Sequence, residues 1–488
     1  MERYLMILEV SQKQAYIFSS RKLRDNLRRS EEICYVTSEK FFRECCPELF
    51  SELDNMVYVG GGHTVLEFPD AASAKAFAEA VTERVLRQFP EMALFVRIRA
   101  YDFTKTPGEN LTLLAGALEE KKARRKASFY PYSFGIDKLQ TPVDSFVPVP
   151  APAQQVPEGW EATSDGEHLA GKDNFLAVVH VDGNAMGARV QRIYDQAGGD
   201  WEACKQLLWR FSTDIDAHFS EAFTEMTEEL APRLAGLGWN RKDLAKQLEA
   251  WKWSSEALPF PVRKVIGAGD DVCFITAGSL GLDCAASFIS HLVTKRNGAD
   301  DMGYAACAGV CMVHTKYPFR TAYDMSEALC SNAKSFGASI DPAGGISAMD
   351  WHIEFGQLKE SLSRIRREDY MTDDGVHDDG VHLELRPYAV CGGPVPEERQ
   401  YTSFTRLTSR LQAETKAFPR SKVKRLREGL KQGEHETKLI LRMTRMEPIL
   451  TLVDAPEAFY QAGEKERRCL LFDAIEVMDH TILWRERP

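Results

Sequence analysis

Apolar and polar positions alternate along this chain in one order twice. The first copy predicts a strand at Tyr4 to Val10, then a long helical stretch from about Gln14 to Phe42. A hairpin follows at Met56 to Phe68, with its turn at Gly60-Gly61-Gly62. A helix at Ala71 to Arg87, a strand at Ala93 to Tyr101 and a helix at Asn110 to Lys126 complete it. The second copy predicts a strand at Phe175 to Asp182, helical periodicity from about Ala185 to Leu230 and a hairpin at Val262 to Ile275. A helix around Leu280 to Lys295, a strand at Tyr304 to His314 and a helix at Phe319 to Phe336 close the repeat. The predicted class is α/β (α+β): two ferredoxin-like βαββαβ modules, each with strand order 4-1-3-2.

Around the two modules lie other segments. Residues 131–172 are rich in Pro and Ala and read as an extended linker. From residue 356 onward the chain reads as a C-terminal helical domain, with basic residues gathered between Arg420 and Lys431. The expected organisation is therefore 1–130, the linker, 173–355 and 356–488. Within 371–382 Asp-Asp-Gly-Val-His occurs in tandem, and a flexible acidic loop is the reading taken over a metal-binding one. Trp239, Trp251 and Trp253, ahead of the second hairpin, are expected to fill core rather than form a lid.

Composition narrows the function classes. With 488 residues, 44% hydrophobic and 27% charged, the chain is ordinary globular material. Its net charge of −11 excludes a surface that is basic throughout, so any RNA contact is regional. Eleven cysteines without a Cys-x-x-Cys pair, among them Cys273, Cys307 and Cys311 in apolar runs, point to reduced buried thiols and a cytoplasmic protein. The N-terminal apolar run is too short for a signal peptide, and no segment approaches the roughly 18 apolar residues of a membrane span.

The candidate chemistry sits on the second hairpin. Ala268-Gly269-Asp270-Asp271 places adjacent carboxylates on a glycine turn between apolar strands. Like charges at that spacing repel and raise each other's pKa, a cost that a bound cation removes. In the expected strand order Asp182, at the end of the module's first strand, faces Asp270 and Asp271, and Gly269 permits the tight turn. Laid over each other without gaps, Val10-Ser11 matches Val181-Asp182, and Gly61-Gly62-His63-Thr64 matches Ala268-Gly269-Asp270-Asp271. By that overlay all three carboxylates are absent from the first copy, whose glycines leave room for a nucleotide against the backbone.

These motifs resemble those of a known family. Val181-Asp182-Gly183-Asn184-Ala185-Met186-Gly187, Ala268-Gly269-Asp270-Asp271-Val272, Ala333-Lys334, Glu9 to Phe18 and Gly60-Gly61-Gly62 are similar to the large polymerase/cyclase subunit of type III CRISPR effector complexes. The likeness is closest to compact stand-alone relatives carrying its second Palm domain, and covers roughly residues 1–350. The resemblance implies synthesis of a cyclic nucleotide or cyclic oligonucleotide from ATP, as a second messenger in antiviral defence. It also implies two Mg²⁺ or Mn²⁺ ions at Asp182, Gly183, Asp270 and Asp271, with Lys334 on the triphosphate. Gly183, Asn184, Gly187, Ala268, Gly269 and Gly60 to Gly62 would then border the nucleotides. Ala268 stands where the family has a glycine, and Asn184 where many members have an aspartate.

The chain begins at the first Palm, and neither His377-Asp378 nor Asp479-His480 has partner ligands in the sequence, so DNA cleavage is not expected of it. A homodimer or a small effector partner fits the same reading. An alternative is a catalytically idle subunit that binds RNA through Arg420 to Lys431, or a partner protein. A relative of diguanylate or class III cyclases is disfavoured by the fused, degenerate first module.

Overall fold

The computed structural model describes residues 2–20, 22–124, 154–355, 361–372, 381–461 and 467–485. In the first half, β1 (Tyr4–Ser11), β2 (Met56–Gly60), β3 (His63–Phe68) and β4 (Ala93–Ala100) form a sheet in the order β2-β3-β1-β4. Four strands of the second half repeat that order. These are β5 (Phe175–Gly183), β6 (Val262–Ala268), β7 (Asp271–Ala277) and β8 (Ala306–His314). Two further strands that the periodicity did not reveal, β9 (Ser347–Ile353) and β10 (Tyr388–Cys391), widen this sheet to β10-β9-β8-β5-β7-β6.

Strands β5 and β8 are buried on both faces, which is why they read as continuous apolar runs rather than alternating ones. Helices cover them. Among these, α8 (Phe319–Ile340) lies so close to β8 that a Cβ on Gly309 would stand 1.9 Å from the Ser326 carbonyl oxygen. That contact fixes the height of α8 on the sheet and with it the position of Lys334.

Both long helical stretches break where capping residues interrupt them. Between Gln14 and Phe42 the chain forms α1 (Lys13–Ile17), α2 (Leu23–Val36) and a short helix, Glu39–Cys45, whose N-cap Ser38 accepts from Phe41 N. The later stretch divides into α5 (Met186–Ala197) and α6 (Trp201–Leu230). Gly198 ends the one at φ 57°, and the Asp200 side chain caps the other. Helices α3 (Ala71–Gln88), α4 (Pro107–Arg124) and α7 (Gly281–Leu292) fall at the expected places.

The flanking segments are less simple than their composition suggested. Within the expected linker, 154–172 is built in: Trp160–Glu161 pairs with Leu258–Pro259, and a helix at Gly166–Ala170 buries Leu169 and Ala170. The region expected to be a helical domain does carry α9 (Tyr401–Ala413), α10 (Arg420–Leu430), α11 (Glu434–Thr444) and α12 (Phe472–Val477). It also supplies β10 and a small four-stranded sheet. Besides the pairing of β10 with β9, a buried charge cluster ties it to the second-half sheet: Arg386, fully buried, binds Asp473 at 3.0 Å and Glu476 at 2.5 Å and lies 3.7 Å from Asp350 on β9. Short strands and a buried charge cluster leave little periodic signal, so sequence patterning underreports them.

Trp239 is buried, and Trp251 and Trp253 pack against the same core, as expected. All eleven cysteines are free, and Cys273, Cys307 and Cys311 are buried. The tandem Asp-Asp-Gly-Val-His loop falls mostly outside the described residues. No helix among the described residues is long and apolar enough to cross a membrane.

Candidate active site between two hairpin turns

The β6–β7 hairpin closes over a two-residue turn, Gly269-Asp270, with Gly269 at φ 68°. Ala268 pairs with Asp271 across the turn and is outside the left-handed region, so the missing glycine costs no backbone strain. On the other side of β7, Asp182 pairs directly with Asp271. The Gly183 N–H donates to the Asp270 carbonyl at 3.3 Å. A Cβ on Gly183 would stand 2.5 Å from Met186 Cε and 3.0 Å from Asp270 Cβ, so this glycine is what lets the turn close over the end of β5. The three predicted carboxylates are thus brought to one end of the sheet.

Their charge is only partly answered. Lys334 donates to Asp182 Oδ2 at 2.6 Å and to the Gly183 carbonyl at 2.8 Å. Burial and the negative charge of Asp182 push Asp270 up to about 6 and Asp271 up to about 7. Burial pulls the Lys334 ammonium down, but Asp182 outweighs it and leaves Lys334 above its usual value. Asp271 Oδ1 is buried without a hydrogen-bond partner; His180 Nδ1, also unpartnered, lies 3.6 Å away, too far to bond.

A carboxylate pair whose ionisation is made costly by burial and mutual charge, beside an orphaned oxygen, is the electrostatic deficit a hard divalent cation fills. The donor set therefore fits Mg²⁺ or Mn²⁺. Among the described residues no three His, Cys, Asp or Glu side chains converge closely enough to hold a metal by themselves. Lys334 occupies one Asp182 oxygen, and the cleft leaves 37% of the Asp182 side chain and 43% of Asp271 accessible, which suits a site completed by substrate phosphates.

The other predicted residues divide. Gly187, in the first turn of α5, has nothing within 4 Å of a would-be Cβ and borders open space. Asn184 turns away: its amide donates to the carbonyls of Gly344 and Ile346 at 3.2 and 2.8 Å, holding the loop after α8. It is not the helix cap either, since Ala185 takes that position.

Gly60, Gly61 and Gly62 form the turn of the β2–β3 hairpin, and that turn meets the other one. A Cβ on Gly269 would lie 3.5 Å from Gly61 N and 3.8 Å from Gly60 Cα.

The strand registers correct the gap-free overlay of the two halves. Glu9 pairs with His63 as Asp182 pairs with Asp271, and Gly60 with His63 as Ala268 with Asp271. Val10 N donates to the Gly62 carbonyl at 3.1 Å, the counterpart of the Gly183–Asp270 bond. The counterpart of Asp182 is therefore Glu9, not Ser11; Gly62 stands for Asp270 and His63 for Asp271. Lys122 on α4 binds Glu9 at 2.8 Å, as Lys334 on α8 binds Asp182. One carboxylate of the three does have an equivalent in the first half, already neutralised. Counting from the apolar runs misses this because register is set by which residues close the turn.

Several neighbours were not singled out as site residues. Lys13 Nζ donates to the Gly61 carbonyl, and its charge acts on both His63 and Asp271. Gln14 donates to Glu327 of α8 at 2.9 Å, joining the halves. Asp216 on α6 accepts from Gly269 N at 3.3 Å, and burial together with Asp270 raises the Tyr58 phenol. Lys13 and Gln14 lie in the motif after β1, where a signal existed; Asp216 sits mid-helix with none.

The basic segment is largely committed. Arg420 and Lys424 pair with Asp479 at 2.7 and 3.3 Å, Arg427 and Lys431 approach Glu428 at 3.3 and 3.7 Å, and Lys422 donates to the Thr444 carbonyl at 2.8 Å.

No family model and no curated protein matches the chain. Solved structures do. A Csm1-Csm4 cassette in complex with one ATP matches at 14% identity and TM-score 0.56, over 98% of this chain and 69% of that one. The apo Csm1-Csm4 cassette matches at 12% identity and TM-score 0.53, over 98% and 70%. A cassette in complex with cA3 matches at 14% identity and TM-score 0.45, over 69% of this chain and only 53% of that one. This chain thus spans between about half and 70% of the solved chains it matches. At these identities the first two matches establish likeness of fold, a mixed α/β arrangement with several sheets.

Proposed function

We propose that the chain is a metal-dependent nucleotidyl cyclase or oligonucleotide synthase of the type III CRISPR polymerase/cyclase kind, built from two ferredoxin-like Palm modules. The observation that carries this reading is the juxtaposition of Asp182, Asp270, Asp271 and Lys334 with a second, glycine-lined turn across the cleft. One turn would bind the donor triphosphate and the other the acceptor nucleotide. The ATP-bound cassette of like fold supports a nucleoside triphosphate as substrate.

Asp182, the Gly183 carbonyl, Asp270 and Asp271 would hold Mg²⁺ or Mn²⁺. When bound, the ions neutralise the triphosphate and activate the attacking hydroxyl. Lys334 orients Asp182 and presents positive charge to the phosphates. Gly183 and Gly269 let the backbone close on the substrate, and the abutting turns set the acceptor hydroxyl against the donor. The 3′-oxygen forms a bond to the α-phosphorus, and the bond to the departing pyrophosphate breaks. The product would be a cyclic nucleotide or cyclic oligonucleotide, with oligoadenylate as first candidate, serving as a second messenger in antiviral defence. A cytoplasmic setting and a homodimer or small regulatory partner accompany this reading.

The test is direct. Incubation with each nucleoside triphosphate and Mg²⁺ or Mn²⁺ should release pyrophosphate and yield cyclic products by mass spectrometry, and D270A/D271A should abolish both. Absence of pyrophosphate under every partner and RNA condition would transfer the assignment to a binding subunit. Full activity in the double variant would refute the metal residues.

A further inference from the structure

One buried polar side chain stands beside the carboxylates without a partner. His180 lies two residues before Asp182 on β5, so both side chains point to the face that α8 covers. It is 5% exposed, and its ring meets Tyr323 of α8 edge-on at 5.5 Å. Its Nδ1 stands 3.6 Å from Asp271 Oδ1. Both atoms are buried, and neither has a hydrogen-bond partner. Leaving a donor and an acceptor unpaired side by side costs stability, so the arrangement calls for a reason. The register of the first half supplies a comparison: Ile7 pairs with Val65 where His180 pairs with Cys273. The imidazole is present in the half that has Asp271, and an apolar side chain takes its place in the half that has His63 there.

We propose that His180 is a positioning residue for the metal: its Nδ1–H donates to Asp271 Oδ1 and turns Oδ2 of that carboxylate toward the ion. The inference rests on the metal reading above and adds to it the group that orients one of the ligands. With Oδ1 buried and 43% of the side chain accessible, Oδ2 is the oxygen left to face the cleft. An outer hydrogen bond of this kind fixes the rotation of a ligating carboxylate. Without metal the gap is too long for a bond. An ion on Oδ2 fixes the carboxylate, and a sub-ångström movement then gives Nδ1–H its acceptor. His180 thus tightens metal binding without stabilising the metal-free chain.

The test is Mn²⁺ binding to the full chain, read from the electron paramagnetic resonance of the free ion, beside thermal midpoints in EDTA. H180N keeps a nitrogen as many bonds from the backbone as Nδ1, and H180Q carries it one bond further out. H180F keeps a ring against Tyr323 and has no donor. H180F and H180Q should bind Mn²⁺ about 10-fold or more weakly, and H180N should stay within a few fold of wild type. The H180F midpoint in EDTA should not fall, because the metal-free chain has no hydrogen bond there to lose. A histidine that only fills core would give the reverse, a lower midpoint with unchanged Mn²⁺ affinity, and that result overturns the proposal. So does Mn²⁺ binding no tighter in H180N than in H180Q, the comparison that decides if H180F loses stability as well. D270N/D271N should lose Mn²⁺; if it does while H180F matches wild type, the metal reading stands and this proposal alone falls. A wild type that binds no Mn²⁺, alone or with AMPPNP, removes both.

Discussion

The turn from Gly60 to His63 and the turn from Ala268 to Asp271 share length and register and differ in chemistry. Both are two-residue turns with a left-handed glycine at the same place, Gly61 at φ 56° and Gly269 at φ 68°. Both receive a backbone hydrogen bond from the neighbouring strand, and both strands carry a carboxylate bound by a lysine from the helix after the fourth strand. At one turn two more carboxylates stand with raised pKa and an unpaired oxygen. At the other stand a glycine, a neutral imidazole and Lys13. The contrast teaches that one strand-and-turn frame can carry opposite charge, added carboxylates at one turn and a lysine at the other.

The sharpest way to break this comparison is to exchange its chemistry. D270N/D271N should reduce pyrophosphate release about 100-fold or more, on the scale of losing a preorganised electrostatic partner of the transition state. His63→Ala, at the position equivalent to Asp271, should stay within a few fold in the same assay. Comparable losses at both would mean that the two turns are not divided as argued.

Sterics offer a second, smaller contrast. Gly183→Ala forces a methyl against Met186 and Asp270 and should destabilise the fold by about 1–3 kcal/mol in urea unfolding while lowering activity. Gly187→Ala meets no neighbour and should stabilise the helix by up to about 1 kcal/mol. A loss of activity at Gly187→Ala without loss of stability would mark that open space as occupied by nucleotide.

The two turns should respond to pH with opposite signs: His63 of the first, held down at about 4 against an ordinary 6.5, adds stability as pH rises between those values. Asp270 and Asp271 titrate near 3.8 when unfolded and at about 6 and about 7 in the native chain, so the native state holds more protons between those values. Without divalent ions, the contribution of Asp270 and Asp271 to stability should be fully present below about pH 4 and be lost as pH rises toward 7. Thermal midpoints across that range should show the slope, and D270N/D271N should flatten it. Metal affinity should run the other way, rising through pH 6 to 7 as binding displaces those protons.

The smallest effect is expected far from both turns. Neutralising Lys422, Lys424 and Arg425 together should alter the salt dependence of RNA binding by less than about one unit of slope, because two of the three already have partners. A larger change would favour the RNA-binding alternative.

Much of this was legible along the chain. The apolar runs located all eight strands of the repeat, because a strand buried on both faces must be apolar throughout and a half-buried one must alternate. Asp182, Gly183, Asp270, Asp271 and Lys334 were legible because residues that close turns and strand ends are nameable one by one. What the Asn184 amide holds was not legible, since a side-chain amide in a nucleotide motif and one that anchors a loop look alike until Gly344 and Ile346 are beside it. The C-terminal strands were missed because β10 is four residues long and its support is the buried Arg386 cluster rather than a periodic face.

By itself the sequence determined the eight strands of the repeat and the identity of the charged turn, all of which depend on local backbone preference and burial. Only the tertiary structure decided that Glu9, not Ser11, is the counterpart of Asp182, that the two turns touch, and that Lys13 lies over the first of them. Register across a sheet and charge across a cleft depend on residues far apart in the chain, and no local pattern encodes which of them meet.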